Sequence, residues 1–327
     1  MKIRITIILF LFLSGICVSA PVSPIWSVDF SPDGKLLAVG TYQWLEIWDL
    51  QTRQTVKTFE DHADAVRSVM FLNGGDRVVA AGGSPSRFGE LKFWLLDDDS
   101  EPYQNIQIHA DTIEAISVSP SGEKIVTASM DKTVILTNIS FNGEKQILTQ
   151  HVDRVLAADF RHDGKYFATA GADKTIKIWS AETYLVVVSF DQNDGAVNTV
   201  RFGPDNLIVS GSTDHVVRSW RIIESDRGIR GILNRIYYGH NGPVYAVDCG
   251  VFNGQVIIVS GSADHSVIVW DFQSGNKLFE FNQPDDEVYA VNLSIEGRFL
   301  VSGGRDGIIR IWDLTDGKMI ANFQSGS

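Results

Sequence analysis

The stretch HVDRVLAADFRHDGKYFATAGADKTIKIW, His151 to Trp179, holds three short runs rich in β-branched and aromatic residues. They are Val155–Phe160, Tyr166–Ala170 and Thr175–Trp179, and residues of this kind fit a pleated, half-buried surface. Asp163-Gly164 separates the first two and Gly171-Ala172-Asp173-Lys174 the second two, and Gly and Asp tolerate the backbone angles of tight reversals. The spacing predicts a small antiparallel meander.

The same pattern recurs along the whole chain. The position of Trp179 is repeated at Trp48, Trp94, Thr137, Trp220, Trp270 and Trp312, at intervals of 41 to 50 residues. The first run begins at Ile25, Val66, Ile113, Val155, Val197, Val244 and Val288. A fourth run follows each aromatic: 56–59, 106–108, 147–149, 185–190, 236–238, 278–281 and 319–323. Seven copies of a four-stranded sheet result. One such sheet cannot bury both its faces alone, so the copies must stack on one another, and radial stacking also protects their edges.

With these residues in register the chain resembles the WD-repeat (WD40) family. The resemblance rests on Trp48-Asp49, Trp270-Asp271 and Trp312-Asp313, on Gly239-His240, on the Ser31–Gly34 turn, and on an Asp six residues before the Trp. It covers essentially residues 25–327 and implies an all-β, seven-bladed β-propeller of four-stranded antiparallel blades. It also implies that each blade is tied by a His, Ser or Thr, Asp and Trp set, in which a buried polar chain satisfies its own donors and acceptors. Carried over by position, the full set is His151, Thr169, Asp173 and Trp179 in blade four, and His240, Ser260, Asp264 and Trp270 in blade six. Blade three has His109, Thr127 and Asp131 but Thr137 for Trp, blade five has Asn193 for His, and blade seven has Pro284. Trp48 lacks both His and Asp, while His62 and Trp94 lack the Asp. Seven whole copies leave no need for the family's frequent device of lending an N-terminal strand to the last blade.

Ahead of the repeats, Lys2 and Arg4 precede the apolar run Ile7–Leu13 and the small-residue stretch Ser14–Ala20. That order is expected of a secretory signal peptide over residues 1–20, with residues 21–327 as the propeller. The expected product is secreted or exported. Pro21 is awkward after a cut at Ala20, which leaves open a cut nearer Cys17 or Ser19, or a retained anchor; Ile16 before Cys17 argues against lipidation. The alternative is a cytoplasmic protein in which Ile3–Leu13 pairs as an extra strand. Apart from a retained leader, no stable membrane span is expected.

The formal charge of −12 argues against nucleic-acid binding, which requires Lys and Arg to neutralise phosphates. Cys17 and Cys249 are the two cysteines, so loss of the leader leaves no internal disulfide, and Cys249 reads as a small buried apolar residue. His62, His109, His151 and His240 fall at one recurring position, and His162, His215 and His265 fall in turns. Repetition of that kind marks architecture. No zinc motif appears, and no cofactor or metal is expected. Asp173, Asp214, Asp264 and Asp306 are held on separate blades, so they do not form an acid and base pair. Gly211-Ser212 and Gly261-Ser262 lack the strand-to-helix setting of a nucleophile elbow.

Binding is the better reading. The resemblance implies that partners dock on the face where the residue after each first-strand start points: Trp26, Arg67, Glu114, Leu156, Asn198, Tyr245 and Tyr289. Ring closure makes blades six, seven and one neighbours, so Tyr245, Tyr289 and Trp26 are expected to form one aromatic patch, flanked by Arg67 and Arg305. Aromatic and Arg side chains are enriched at interface hot spots. The expected partner of this non-enzymatic scaffold is a protein or peptide, and the chain a monomer or a subunit of a hetero-complex. A propeller enzyme or small-ligand binder using the central channel is the alternative. Two insertions break the period, Ser84–Gly89 and Glu224–Arg235, and are expected as lengthened surface turns; the acidic run Asp97–Asp99 lacks the spacing of a calcium loop.

Overall fold

The computed structural model describes residues 22–72, 74–98, 102–226, 228–282 and 284–326. The expected leader at residues 1–20, together with Asp99 and Arg227, lies outside them. Among the described residues seven antiparallel sheets form, each from four consecutive strands. The chain is a seven-bladed β-propeller. Blade four shows the logic: Val155–Phe160 pairs with Tyr166–Gly171, that with Ile176–Ser180, and that with Val186–Phe190. The first turn needs Gly164 at φ 69°, and the second places Lys174 at φ 65°, where Asp173 Oδ1 accepts from the Thr175 N–H and hydroxyl.

Apolar residues from adjacent blades form seven clusters of buried side chains, one at each blade junction. A recurring aromatic contact organises them. The aromatic closing one blade's outer strand meets the Trp of the next: Phe59 on Trp94 (ring centroids 4.6 Å apart), Phe190 on Trp220 (4.7 Å), Phe281 on Trp312 (4.9 Å) and, across the seam, Phe323 on Trp48 (4.6 Å). Thr137 supplies no such ring, and the junction of blades two and three is filled instead around Phe93, with Phe141 packed edge-on at 5.9 Å. Cys249 is half-buried beside the Trp270 cluster, not fully buried as its position suggests.

With no strand exchanged among the described residues, blades seven and one are joined by packing and by a few hydrogen bonds. Ile25 N–H donates to Gly304 O (2.9 Å), and the Ser325 hydroxyl to Ser23 O (3.2 Å). Gly304 must be glycine, because a Cβ there would lie 2.0 Å from Glu287 O. Glu46, 2% exposed, accepts from Trp48 Nε1 through one oxygen (2.8 Å) and from Gly326 N–H through the other (2.8 Å). Burial pushes its carboxyl up while those two bonds oppose the shift. Glu46→Ala strands both donors and is expected to cost about 2–3 kcal/mol, read by urea unfolding, with faster hydrogen exchange confined to blades one and seven.

The two insertions are not loops. Ser84–Gly89 belongs to a longer hairpin, Arg77–Ser84 paired with Phe88–Leu95. Glu224–Arg235 lies in blade five's outer hairpin, Val217–Ser225 with Gly228–Tyr237, zipped as far as Ser225 opposite Gly228. The cause is the β-branched content, Ile222, Ile223, Ile229 and Ile232, with Gly228 at φ 113° at the tip. The hairpin leans on blade four, where buried Arg161 pairs with Glu224 and donates to Asn206 Oδ1 at 3.2 Å.

Candidate functional site

In blade four His151 Nδ1 meets Asp173 Oδ2 at 2.8 Å, its Nε2 meets Thr169 Oγ1 at 2.8 Å, and Trp179 Nε1 donates to the same hydroxyl at 2.8 Å. Blade six repeats this with His240 to Asp264 (2.9 Å), His240 to Ser260 (2.7 Å) and Trp270 to Ser260 (2.9 Å). In blade three His109 keeps Asp131 and Thr127, and the Thr127 hydroxyl turns to Ile135 O. These sets lie within single blades and stiffen the scaffold. Burial works to raise the Asp173 and Asp264 carboxyls, but hydrogen bonds from the His and from the following Thr or Ser hold both well below the usual range.

Four of the five incomplete blades carry a substitute that the sequence reading missed. At the position facing the Ser or Thr of the set, blade one has Glu46, blade two Lys92, blade five Arg218 and blade seven Arg310, all buried. Arg218 and Arg310 reach Asp214 (2.8 Å) and Asp306 (2.7 Å) and take up the charge that the missing His would have met. Lys92 turns to Asp61 and leaves both nitrogens of His62, and Trp94 Nε1, without partners. The available signal was a lone charge inside an otherwise apolar third strand of a blade lacking the His or its partners, since complete blade four carries half-buried Lys177 at the same position.

At one end of the bore the inner strands bring four predicted side chains into a single ladder. Tyr245 meets Tyr289 edge-on (5.5 Å, 62°), Tyr289 stacks on Trp26 (4.7 Å, 3°), and the Arg67 guanidinium lies over Trp26 at 4.0 Å. Arg67 also pairs with Glu114 at 3.8 Å. The Tyr289 hydroxyl donates to Glu287 at 2.6 Å, and burial together with that carboxylate pushes its pKa up. Arg305 makes no ring contact but lies beside the ladder, 60% exposed, 4.0 Å from the Glu287 oxygen that accepts from Tyr289 and 3.8 Å from Asp286. Glu114 is pushed up by burial in spite of Arg67. Trp26 Nε1 is buried with no partner.

These side chains form the neck of a cavity of about 380 Å³ in the bore, within the size range of ligand pockets. Small residues make the room, among them Ser27, Ala115, Ala246 and Ala290, and Arg201 lines its inner end. Deeper still, Asp29, Asp159 and Asp248 each accept the N–H of the next blade's inner strand, at Phe71 (2.8 Å), Phe202 (2.7 Å) and Leu293 (2.8 Å). These straps join neighbouring blades around the bore. Burial pushes all three carboxyls up, Asp29 to about 7, and Arg201 opposes the shift in each. Among the described residues no His, Cys, Asp and Glu group is arranged to hold a metal ion, and no helix is long and apolar enough to cross a membrane.

The family model described as WD domain, G-beta repeat matches residues 16–49, 100–138, 143–180, 185–221, 231–271 and 275–313. The first three strands of blade two, and the unpartnered His62 ahead of them, fall outside the matched segments. Protein tipD of Dictyostelium discoideum is 26% identical over 273 residues, covering 81% of this chain and 42% of that protein. Apoptotic protease-activating factor 1 of Rattus norvegicus is 22% identical, covering 91% and 26%. A guanine nucleotide-binding protein subunit beta of Oryza sativa subsp. japonica is 23% identical, covering 82% and 73%. The chain therefore spans less than half the length of the first two.

Proposed function

The chain belongs to the WD40 family, and from that premise we propose that it is a non-enzymatic scaffold which docks a protein or peptide on the face bearing Trp26, Tyr245 and Tyr289. The observation that carries this reading is the ladder itself. Three aromatic rings from blades six, seven and one, with Arg67 from blade two, gather around a cavity mouth. Interface hot spots draw on these residue types, because a rigid ring offers a large contact area at little entropic cost. One relative's name makes it a subunit of a guanine nucleotide-binding protein, which accords with a role in assemblies.

Replacing Trp26, Tyr245 and Tyr289 together with Ala is expected to lower recovery of the partner at least tenfold in a pull-down. The three sit at the rim, partly exposed, so the seven junction clusters stay intact and the unfolding transition is expected to stay cooperative. Unchanged recovery by a folded triple variant would sink the reading.

A further inference from the structure

We infer that the neck and chamber receive an arginine side chain of the partner, and that Arg67 occupies this place in the free protein. The inference rests on the docking face proposed above and names the chemistry that enters it.

Two independent features lead there. The first is charge. The neck carries Glu114 and Glu287, and the bore beneath it Asp29, Asp159 and Asp248, against three guanidinium groups, Arg67, Arg201 and, beside Glu287, Arg305. Low-dielectric walls focus such a field and raise the local concentration of cations. The second is that the site already holds a guanidinium. Tyr289 covers one face of Trp26 in a parallel stack, and Arg67 lies over the other while pairing with Glu114. A planar, delocalised cation stacks on an indole and forks to a carboxylate in a way that an ammonium does not. Arg67 is thus an internal stand-in for the ligand and closes the neck. A partner's arginine displacing it would pass between the small residues of the chamber wall and bring its donors toward the Asp29 belt.

The test is a ligand-observed NMR titration of the full chain at low salt with capped Gly-Gly-Xaa-Gly-Gly peptides, where Xaa is arginine, lysine, citrulline or glutamate. The arginine peptide is expected to bind at least tenfold more tightly than citrulline, its uncharged isostere, and at least threefold more tightly than lysine, and to weaken as salt rises. Glu114→Gln with Glu287→Gln is expected to weaken it at least tenfold. Arg67→Ala vacates Trp26 and removes a like charge, so it is expected to tighten arginine binding at least threefold, which a merely structural role for Arg67 would not produce. Binding of citrulline, glutamate or lysine as tight as arginine, weaker binding by Arg67→Ala, or no arginine binding overturns the inference. The two readings fail separately: partner loss by the triple Ala variant without arginine-peptide binding keeps the docking face and removes the arginine.

Discussion

Replacing Asp29 with Asn is expected to stabilise the protein at pH 8 by about 2–4 kcal/mol and to change it little at pH 4. Enclosure in the bore raises this carboxyl from its ordinary 3.8 to about 7, only partly offset by the Phe71 N–H and Arg201, and Asp248 adds to the rise. A raised carboxyl is one that the folded state prefers protonated. Between pH 4 and pH 7 the folded protein therefore binds more protons than the unfolded chain, and stability falls as pH rises through that window. At about 1.4 kcal/mol per unit, a shift from 3.8 to about 7 sets the ceiling at about 4 kcal/mol, and relaxation of the bore lowers it toward about 2. Asn keeps an oxygen for the Phe71 N–H and carries no charge, so the strap survives while the cost disappears. Urea unfolding at pH 4, 6 and 8 separates this from a packing effect. The gain must grow with pH and level off above 7, and a constant difference between variant and wild type refutes it.

That belt of acids shows where sequence reasoning stopped. The seven copies follow from the period, and the ring and the neighbourhood of Tyr245, Tyr289 and Trp26 from the family resemblance with ring closure, because repeats convert sequence position into angular position. Asp29, Asp159 and Asp248 also recur at one place, four residues after Ile25, Val155 and Val244. Yet on a strand an Asp at that spacing reads as solvent-facing, and only the closed ring turns it into a bond between blades. Glu46, Lys92, Arg218 and Arg310 failed for a related reason: a matching scheme records the absent His or Trp and not the charge that answers for it. The Glu224–Arg235 hairpin was hidden because extra length beyond the period reads as loop, although Ile222, Ile223, Ile229 and Ile232 carried a strand pattern. The seat of Arg67 on Trp26 depends on rotamers across two blades, which no single-strand pattern encodes.

Removing one hydroxyl from blade four is expected to cost more than removing a whole imidazole from blade two. Thr169→Val keeps the shape of a fully buried side chain but strands two donors or acceptors at once, His151 Nε2 and Trp179 Nε1, both 2.8 Å from the lost oxygen. Leaving buried polar atoms unmet costs about 1–3 kcal/mol each, so a loss of about 2–4 kcal/mol is expected, with an unchanged denaturant slope. His62 is the reverse case. It is 5% exposed with neither nitrogen bonded, and burial, with Lys92 nearby, lowers its pKa from 6.5 to about 3. A lowered imidazole is one that the folded state keeps neutral. The unfolded chain then binds the extra proton between pH 6.5 and 3, and stability drains away as pH falls through that range. His62→Leu replaces an unsatisfied polar ring with an apolar group of similar bulk, which is expected to be neutral within about 0.5 kcal/mol at pH 7 and stabilising by about 1 kcal/mol or more at pH 5. Paired urea titrations of both variants at the two pH values decide the matter. Equal losses at pH 7 would mean that His62 has a partner in solution and that blade two is as tightly tied as blade four. With the expected inequality, native-state hydrogen exchange should show blade two opening before blade four, placing the weakest blade of the ring beside Arg67 and the neck it closes.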